Sequence, residues 1–215
     1  MEHTIQESFW SGNFGEAYTD RNTFSQEEWD KLYLETWGIT KIAMNEKAMG
    51  EIPRDAKILE VGCNIGMQLS GFKRMGFKNL YGIELQAYAV EKAKATTQGI
   101  NIIQGSGFDI PFRDNYFDLV CTNGVLIHID PVNLKGIMSE IYRCSSRYIM
   151  GFEYYNEQTE SVTYRGHTNY LWKADYEQIY RDYFPSLRIL KKDFYTYSSP
   201  ANAGNKDCLF LLGKG

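Results

Sequence analysis

Short apolar runs alternate with amphipathic stretches along most of the chain, and this alternation predicts the fold. Lys57 to Gly62, Asn79 to Glu84, Asn101 to Gln104, Phe117 to Asn123 and Tyr148 to Phe152 read as short strands. Between them lie segments with helical spacing: one running from the Gly62–Gly66 turn to about Met75, then Gln86 to Thr97, then Pro131 to Arg143. The last begins on a proline and sets Leu134, Met138 and Ile141 on one face. Upstream, Ser25 followed by Glu28 is a capping-box start and Gly50 with Pro53 a stop, so residues 25–49 are predicted as a helix. Downstream, Tyr176, Ile179, Tyr180 and Tyr183 recur at helical spacing between Lys173 and Phe184. Ser186 to Tyr197 and Asp207 to Gly213 close the chain as two strands around a polar nine-residue loop.

Strand–helix alternation implies a mostly parallel sheet covered on both faces, and the final hairpin adds an antiparallel edge. The predicted architecture is a single α/β domain over residues 1–215 with a Rossmann-like, mostly parallel seven-stranded sheet. Residues 1–52 form an N-terminal helical cap or lid, 53–153 the ligand-binding core, and 154–215 a substrate loop, helix and closing hairpin. Ligands of such sheets lie beyond the carboxyl ends of the strands, near the switch point, which directs attention to residues after strands one, two, four and five.

Of the 215 residues, 43% are hydrophobic and 23% charged, enough for a sizeable core and incompatible with a disordered chain. A net charge of −4 and a pI near 5.5 argue against a nucleic-acid partner, whose binding needs a basic face. The apolar runs are too short to span a bilayer and the first residues show no signal-peptide pattern, so the expectation is a cytoplasmic protein with no membrane partner. Cys63, Cys121, Cys144 and Cys208 are widely spaced, as are His3, His128 and His167; buried reduced thiols and no metal site are expected. Aromatics reach 15%, many of them in residues 9–37 and 152–184, outside the α/β pattern. A lid over a ligand and ordinary packing onto the sheet both explain them.

The first strand runs into Glu60-Val61-Gly62-Cys63-Asn64-Ile65-Gly66. Glycines here let a ligand press on the backbone and let the next helix start close to the sheet. The spacing differs from the dinucleotide fingerprint G-x-G-x-x-G. Glu60, just before the turn, would repel a pyrophosphate but suits an ammonium group. Asn64 stands where such loops have a middle glycine and tolerates the left-handed conformation. Glu84 ends the second strand eighteen residues after Gly66, where a carboxylate can accept from both ribose hydroxyls, and Gln86 opens the helix beyond it. After strand three, Ser106 and Gly107 are small enough to admit a flat heterocycle. After strand four, Asn123 leads toward His128.

This order of motifs resembles the class I S-adenosylmethionine (SAM)-dependent methyltransferases over roughly residues 55–153, and more loosely to the end. The flanks narrow the likeness. Phe9-Trp10-Ser11-Gly12-Asn13-Phe14-Gly15 with Tyr18, Arg21 and Asn22, together with Glu153-Tyr154-Tyr155 and Tyr164-Arg165-Gly166-His167, look like the methylases associated with pseudaminic acid biosynthesis and related phosphonate O-methyltransferases. The resemblance implies SAM as cofactor, S-adenosylhomocysteine as product and no metal. It places Trp10, Tyr18, Glu60, Gly62, Asn64, Gly66, Glu84, Gln86, Ser106, Gly107 and Asn123 around SAM. Trp10 and Tyr18 would close over its methionine end, and Ser106 with Gly107 would border adenine. The usual pattern has an acidic residue where this chain has Ser106.

Asn123-Gly124-Val125-Leu126 is not the Asn/Asp-Pro-Pro-aromatic box of nucleobase N-methylation, and neither a Pro-Cys nucleophile nor an adjacent acidic pair for metal-dependent catechol chemistry is present. The substrate-side candidates are Arg21, Tyr164, Arg165, His167 and Lys173; Arg165 could present a planar fork to an anion. His128 reads either as a general base or as a residue that holds the loop after strand four. With Tyr18 and Arg165 it completes the candidate catalytic set. The expected activity is methyl transfer from SAM to an oxygen of a small anionic acceptor, of phosphonate, phosphate, carboxylate or acidic-sugar type, by a monomer or weak homodimer. N-methylation of an amine is the alternative. A nicotinamide-dependent oxidoreductase could use Tyr88-x-x-x-Lys92, but that pair follows strand two, too early in the chain to meet a nicotinamide. A silent SAM-binding partner is disfavoured because the cofactor loop is undamaged.

Overall fold

The computed structural model describes residues 3–215. In chain order its strands are β1 (Lys57–Val61), β2 (Asn79–Glu84), β3 (Asn101–Gln104), β4 (Phe117–Asn123), β5 (Ser145–Tyr154), β6 (Glu160–Ser161), β7 (Trp172–Lys173), β8 (Arg188–Thr196) and β9 (Lys206–Gly213). Its helices are α1 (Ile5–Ser11), α2 (Asn13–Arg21), α3 (Gln26–Trp37), α4 (Lys41–Met49), α5 (Met67–Arg74), α6 (Ala87–Thr96), α7 (Leu134–Cys144) and α8 (Tyr176–Tyr183). Seven strands form one sheet in the order β3-β2-β1-β4-β5-β9-β8, while β6 and β7 pair separately. Strands β1 to β5 run parallel and β9 lies antiparallel between β5 and β8. The predicted seven-stranded, mostly parallel sheet with its antiparallel closing pair is therefore present.

Period-two alternation along the strands divides the interior into two cores. Ile58, Leu209 and Leu211 face one side, against Met44 of α4, Leu69 and Phe72 of α5 and Val90 of α6. Leu59, Phe210 and Leu212 face the other, against Ile137, Met138 and Ile141 of α7 and Tyr176 and Tyr180 of α8. The winding reverses between β1 and β4, and that reversal opens the crevice in which ligands of such sheets bind.

The N-terminal third departs from the predicted pattern. The helix expected over 25–49 is two helices, because Gly38 takes the left-handed conformation at φ 72° and Thr40 caps α4 by accepting from the Ala43 amide. The helix expected from Pro131 opens as a 3-10 turn and becomes α-helical at Leu134. Strand five is longer than predicted, since β9 pairs with it from Tyr148 through Tyr154. Residues 5–21 form two further helices. Thr4 caps the first by accepting from the Glu7 amide, and the Glu7 carboxylate accepts from the Thr4 amide in return.

These two helices dock across the sheet's carboxyl edge. Gln86 donates to the Gly12 carbonyl at 3.3 Å, and Phe9 stacks on Tyr170 with centroids 4.1 Å apart. Tyr88 and Lys92, one turn apart on α6, both engage Asp20 of α2, so this pair fastens the cap instead of serving a nicotinamide. At the α1–α2 corner, a Cβ on Gly15 would lie 1.8 Å from the Trp10 carbonyl oxygen, so only glycine permits this contact. All four cysteines are free and buried. Among the described residues no helix is long and apolar enough to cross a membrane, and no group of three metal-ligating side chains converges.

Gly15→Ala should prise α1 off α2 while leaving the sheet intact. Hydrogen exchange of amides in α1 should accelerate by at least about ten-fold, with amides of β1 and β4 unchanged. Equal protection of α1 in both proteins would show that the corner tolerates the methyl group.

Candidate functional site

A cavity of about 360 Å³ lies over the carboxyl ends of β1, β2 and β4, in the size range of small-molecule sites. It is walled by Glu60 to Ile65 after β1, Ile83 to Gln86 after β2, Gly105, Gly107 and Phe108 after β3, and Asn123 to Val125 with His128 after β4. Residues of α1, α2 and α3 roof it. Strand β5 supplies no wall; the loop after β3 takes the place expected for it. Of the residues predicted from sequence to hold the cofactor, Trp10, Tyr18, Glu60, Gly62, Asn64, Glu84, Gln86, Gly107 and Asn123 all line this cavity.

The turn after β1 is built from two left-handed residues. Gly62 has φ 71°, and a Cβ there would meet Val125 at 2.6 Å; Asn64 holds φ 45° with its side-chain oxygen accepting from the Ile65 amide. Glu84 fixes the turn: its carboxylate accepts from the Asn64 and Gln86 amides, each at 2.8 Å. Burial pushes the Glu84 carboxyl up, and these amide bonds oppose the shift. Glu60 is 3% exposed, and its Oε2 has no hydrogen-bond partner in the protein. Burial raises its carboxyl well above the ordinary value, with Lys41 pulling the other way. The Trp10 indole N–H is the second buried group without a partner on this wall. An unpaired carboxylate oxygen and an unpaired N–H suit a ligand end carrying both an ammonium and an acceptor, as the amino-acid end of SAM does.

Lys41 was invisible to sequence reasoning, because a lysine in an amphipathic helix reads as a solvated charge. Here it is 1% exposed, donates to Asn123 at 2.8 Å and sits 4.2 Å from the centroid of the Phe152 ring. Burial drives its ammonium down to about 7, against the pull of Glu60. Glu153 is also buried and accepts from the amides of Val125 and Ile127, which fixes the 3-10 turn that carries His128. Its carboxyl is pushed up to about 7 by burial. His128 places Nδ1 2.7 Å from the Tyr170 carbonyl, so Nδ1 carries the proton and donates, leaving Nε2 with its lone pair. Burial lowers the ring to about 4. The ring is then neutral at pH 7, and its low proton affinity makes Nε2 a weak base.

Other predicted residues lie elsewhere. Gly66 does not line the cavity; it is the left-handed N-cap of α5, packed near Thr97 and Ile102. Ser106 points its hydroxyl at the Glu7 carboxylate instead of into the cavity. Tyr164-Arg165-Gly166-His167 is a tight turn in which residues 164 and 167 exchange backbone bonds and Arg165 and Gly166 have φ of 49° and 85°. Arg165 is thus an exposed tip, although its charge, like that of Arg21, reaches the buried Tyr18 hydroxyl, which burial raises to about 12. Arg21 is exposed beside Phe14, and His167 packs against Phe9 and Phe14. Lys173 donates to Asn205 at 2.6 Å and does not line the cavity. Tyr164 does not line the cavity, but its ring centre lies 5.3 Å from that of His128, which does.

A family model described as a methyltransferase domain matches residues 59–147. An uncharacterized methyltransferase of Synechocystis is 29% identical over 87 residues, 40% of this chain and 41% of that protein. A sterol 24-C-methyltransferase of Yarrowia lipolytica is 32% identical over 93 residues, 40% of this chain and 24% of that protein. The match thus spans less than half the length of such curated relatives. Among solved structures, magnesium protoporphyrin IX methyltransferase from Synechocystis superposes over the whole of both chains with a TM-score of 0.69 at 12% identity. The family model matches a methyltransferase domain over residues 59–147, and the solved structure shares the fold of the whole chain.

Glu60 offers a direct test of the site's electrostatics. Its carboxyl is held high by burial and would ionise against a bound cation, so SAM binding should release a proton and tighten as pH rises until Glu60 is ionised without ligand. Calorimetry in two buffers of different ionisation enthalpy should detect that proton, and Glu60→Gln should abolish the release. Equal heats in both buffers for the unmodified protein would assign Glu60 no such role.

Proposed function

We propose that this chain transfers a methyl group from SAM to an oxygen of a small acceptor bearing an anionic group. One observation carries the donor: Glu7, Glu60 and Glu84 line the cavity, and among the described residues no lysine or arginine does. A wall with that charge pattern repels the pyrophosphate of a dinucleotide and attracts a sulfonium and an ammonium. When bound, SAM supplies a methyl group already activated by positive sulfur. The protein's task is then orientation and exclusion of water. Glu60 and the Gly62–Asn64 turn hold the amino-acid end, Glu84 the ribose, and Trp10 and Tyr18 cover the site.

In this reading the acceptor approaches beside His128 and Tyr164, and the exposed Arg21 and Arg165 of the neighbouring segments supply the positive charge. His128 acts there as a positioning group: its Nε2 accepts a hydrogen bond and its ring does not titrate near neutrality. Carbon methylation is a second reading, supported by the apolar side of the cavity, where Phe24, Trp29, Leu32 and Trp37 approach, and by the similarity to sterol 24-C-methyltransferases.

Methyl-labelled SAM offered with a panel of organic phosphonates, phosphates and carboxylates, and separately with neutral alkenes, tests the choice. Label should pass to an anion. With that acceptor at saturating SAM, any pH dependence of turnover should persist in His128→Gln, that variant should lose less than about ten-fold, and Arg165→Ala should raise KM roughly three- to ten-fold with SAM affinity unchanged. Transfer to the alkenes alone would refute the anionic acceptor. A steep pH dependence abolished by His128→Gln would make His128 a base.

A further inference from the structure

The order of the walls matches the order of the groups in SAM. Glu60 stands at the end of β1, Glu84 at the end of β2, and the small residues 105 and 107 follow β3, the next strand outward in the sheet. An amino acid at Glu60 and a ribose at Glu84 therefore direct the base toward the pocket bounded by Ile83, Leu85, Gly105, Gly107, Phe108 and Ile137. These side chains are apolar and offer nothing to an exocyclic amine, whose two N–H groups need acceptors when taken out of water. The carboxylate beside this pocket comes from the other end of the chain. Glu7 of α1 is 8% exposed, lines the cavity and accepts from the Ser106 hydroxyl. Ser106 itself accepts from the Phe108 amide at 3.0 Å, so hydroxyl and carboxylate are held in one direction. Burial pushes the Glu7 carboxyl up, but the bonds from Ser106 and Thr4 outweigh it and keep the group below the usual carboxylate value, hence ionised.

We propose that Glu7 is the residue that reads the purine: its carboxylate, brought in by the N-terminal helix and braced by Ser106, accepts a hydrogen bond from the exocyclic amine of adenine. The inference rests on SAM as the donor. It makes base recognition a property of the cap, so that the cofactor pins α1 to the core and a base without an amine does not.

The test compares S-adenosylhomocysteine with S-inosylhomocysteine, which carries a carbonyl in place of the amine, by calorimetry on the full chain and on Glu7→Gln. Glutamine keeps the capping-box geometry with Thr4, so α1 remains capped, and its amide can donate to the carbonyl. The unmodified protein should prefer the adenosyl compound by at least about ten-fold, because the inosyl carbonyl would face a buried carboxylate. Glu7→Gln should cut that preference to within roughly three-fold by weakening the first ligand and strengthening the second. Ser106→Ala, which leaves Glu7 in place without its brace, should fall between the two. An undiminished preference in Glu7→Gln would overturn the role of Glu7 while leaving SAM as donor. Failure of the unmodified protein to bind either compound would overturn both.

Discussion

A carboxylate buried at the carboxyl end of the central strand, with one oxygen unpartnered, is expensive to maintain, and the surrounding structure is arranged around that cost. An ionised group in such surroundings is tolerated only with nearby compensation. Lys41, reaching up from α4 on one face of the sheet, supplies part of it from below. The rest is left to whatever enters from above. Glu60 lines the cavity with one carboxyl oxygen unpartnered, and that demand has a sign. Glu7 and Glu84 extend the same negative surface along the cavity, and both have their oxygens engaged by backbone or hydroxyl donors, which fixes direction without neutralising charge.

Apart from Lys41 beneath the wall, the cationic side chains near the cap lie outside this interior. Arg21 and Arg165 stand outside on the cap and on the tip of a tight turn, where water screens them. The segregation suits a reaction that brings a cationic donor and an anionic partner to one point from opposite sides, because each is drawn to its own compartment and repelled from the other.

The core of the fold was legible in the sequence because its signals are local. Strands β2, β3 and β4 coincide with their predicted limits, and the Glu60–Gly66 turn and Glu84 lie where the motif spacing puts them. The cap was less legible although its signals are present. Thr4 and Glu7 spell a capping box, and Gly38 with Thr40 marks the break between α3 and α4, but aromatic content in residues 9–37 drew the reading toward a lid of undefined structure. The roles of Lys41 and Glu7 could not be read at all. Each depends on a partner far along the chain, Asn123 for one and Ser106 for the other, and no local pattern encodes such a meeting. Arg165 shows a local feature that the motif reading left out: it sits in a turn sequence needing two positive φ angles.

The contact between Gly15 and the Trp10 carbonyl gives the cap a mechanical character. With no room for a methyl group between them, α1 and α2 form an elbow with little freedom at its joint. Glu7, Trp10 and Tyr18 ride on that one piece and face one cavity. They leave or arrive as a set. A ligand held in this way has few half-released states, so its residence time is governed by a single barrier, that of lifting the elbow, and not by a series of small independent ruptures.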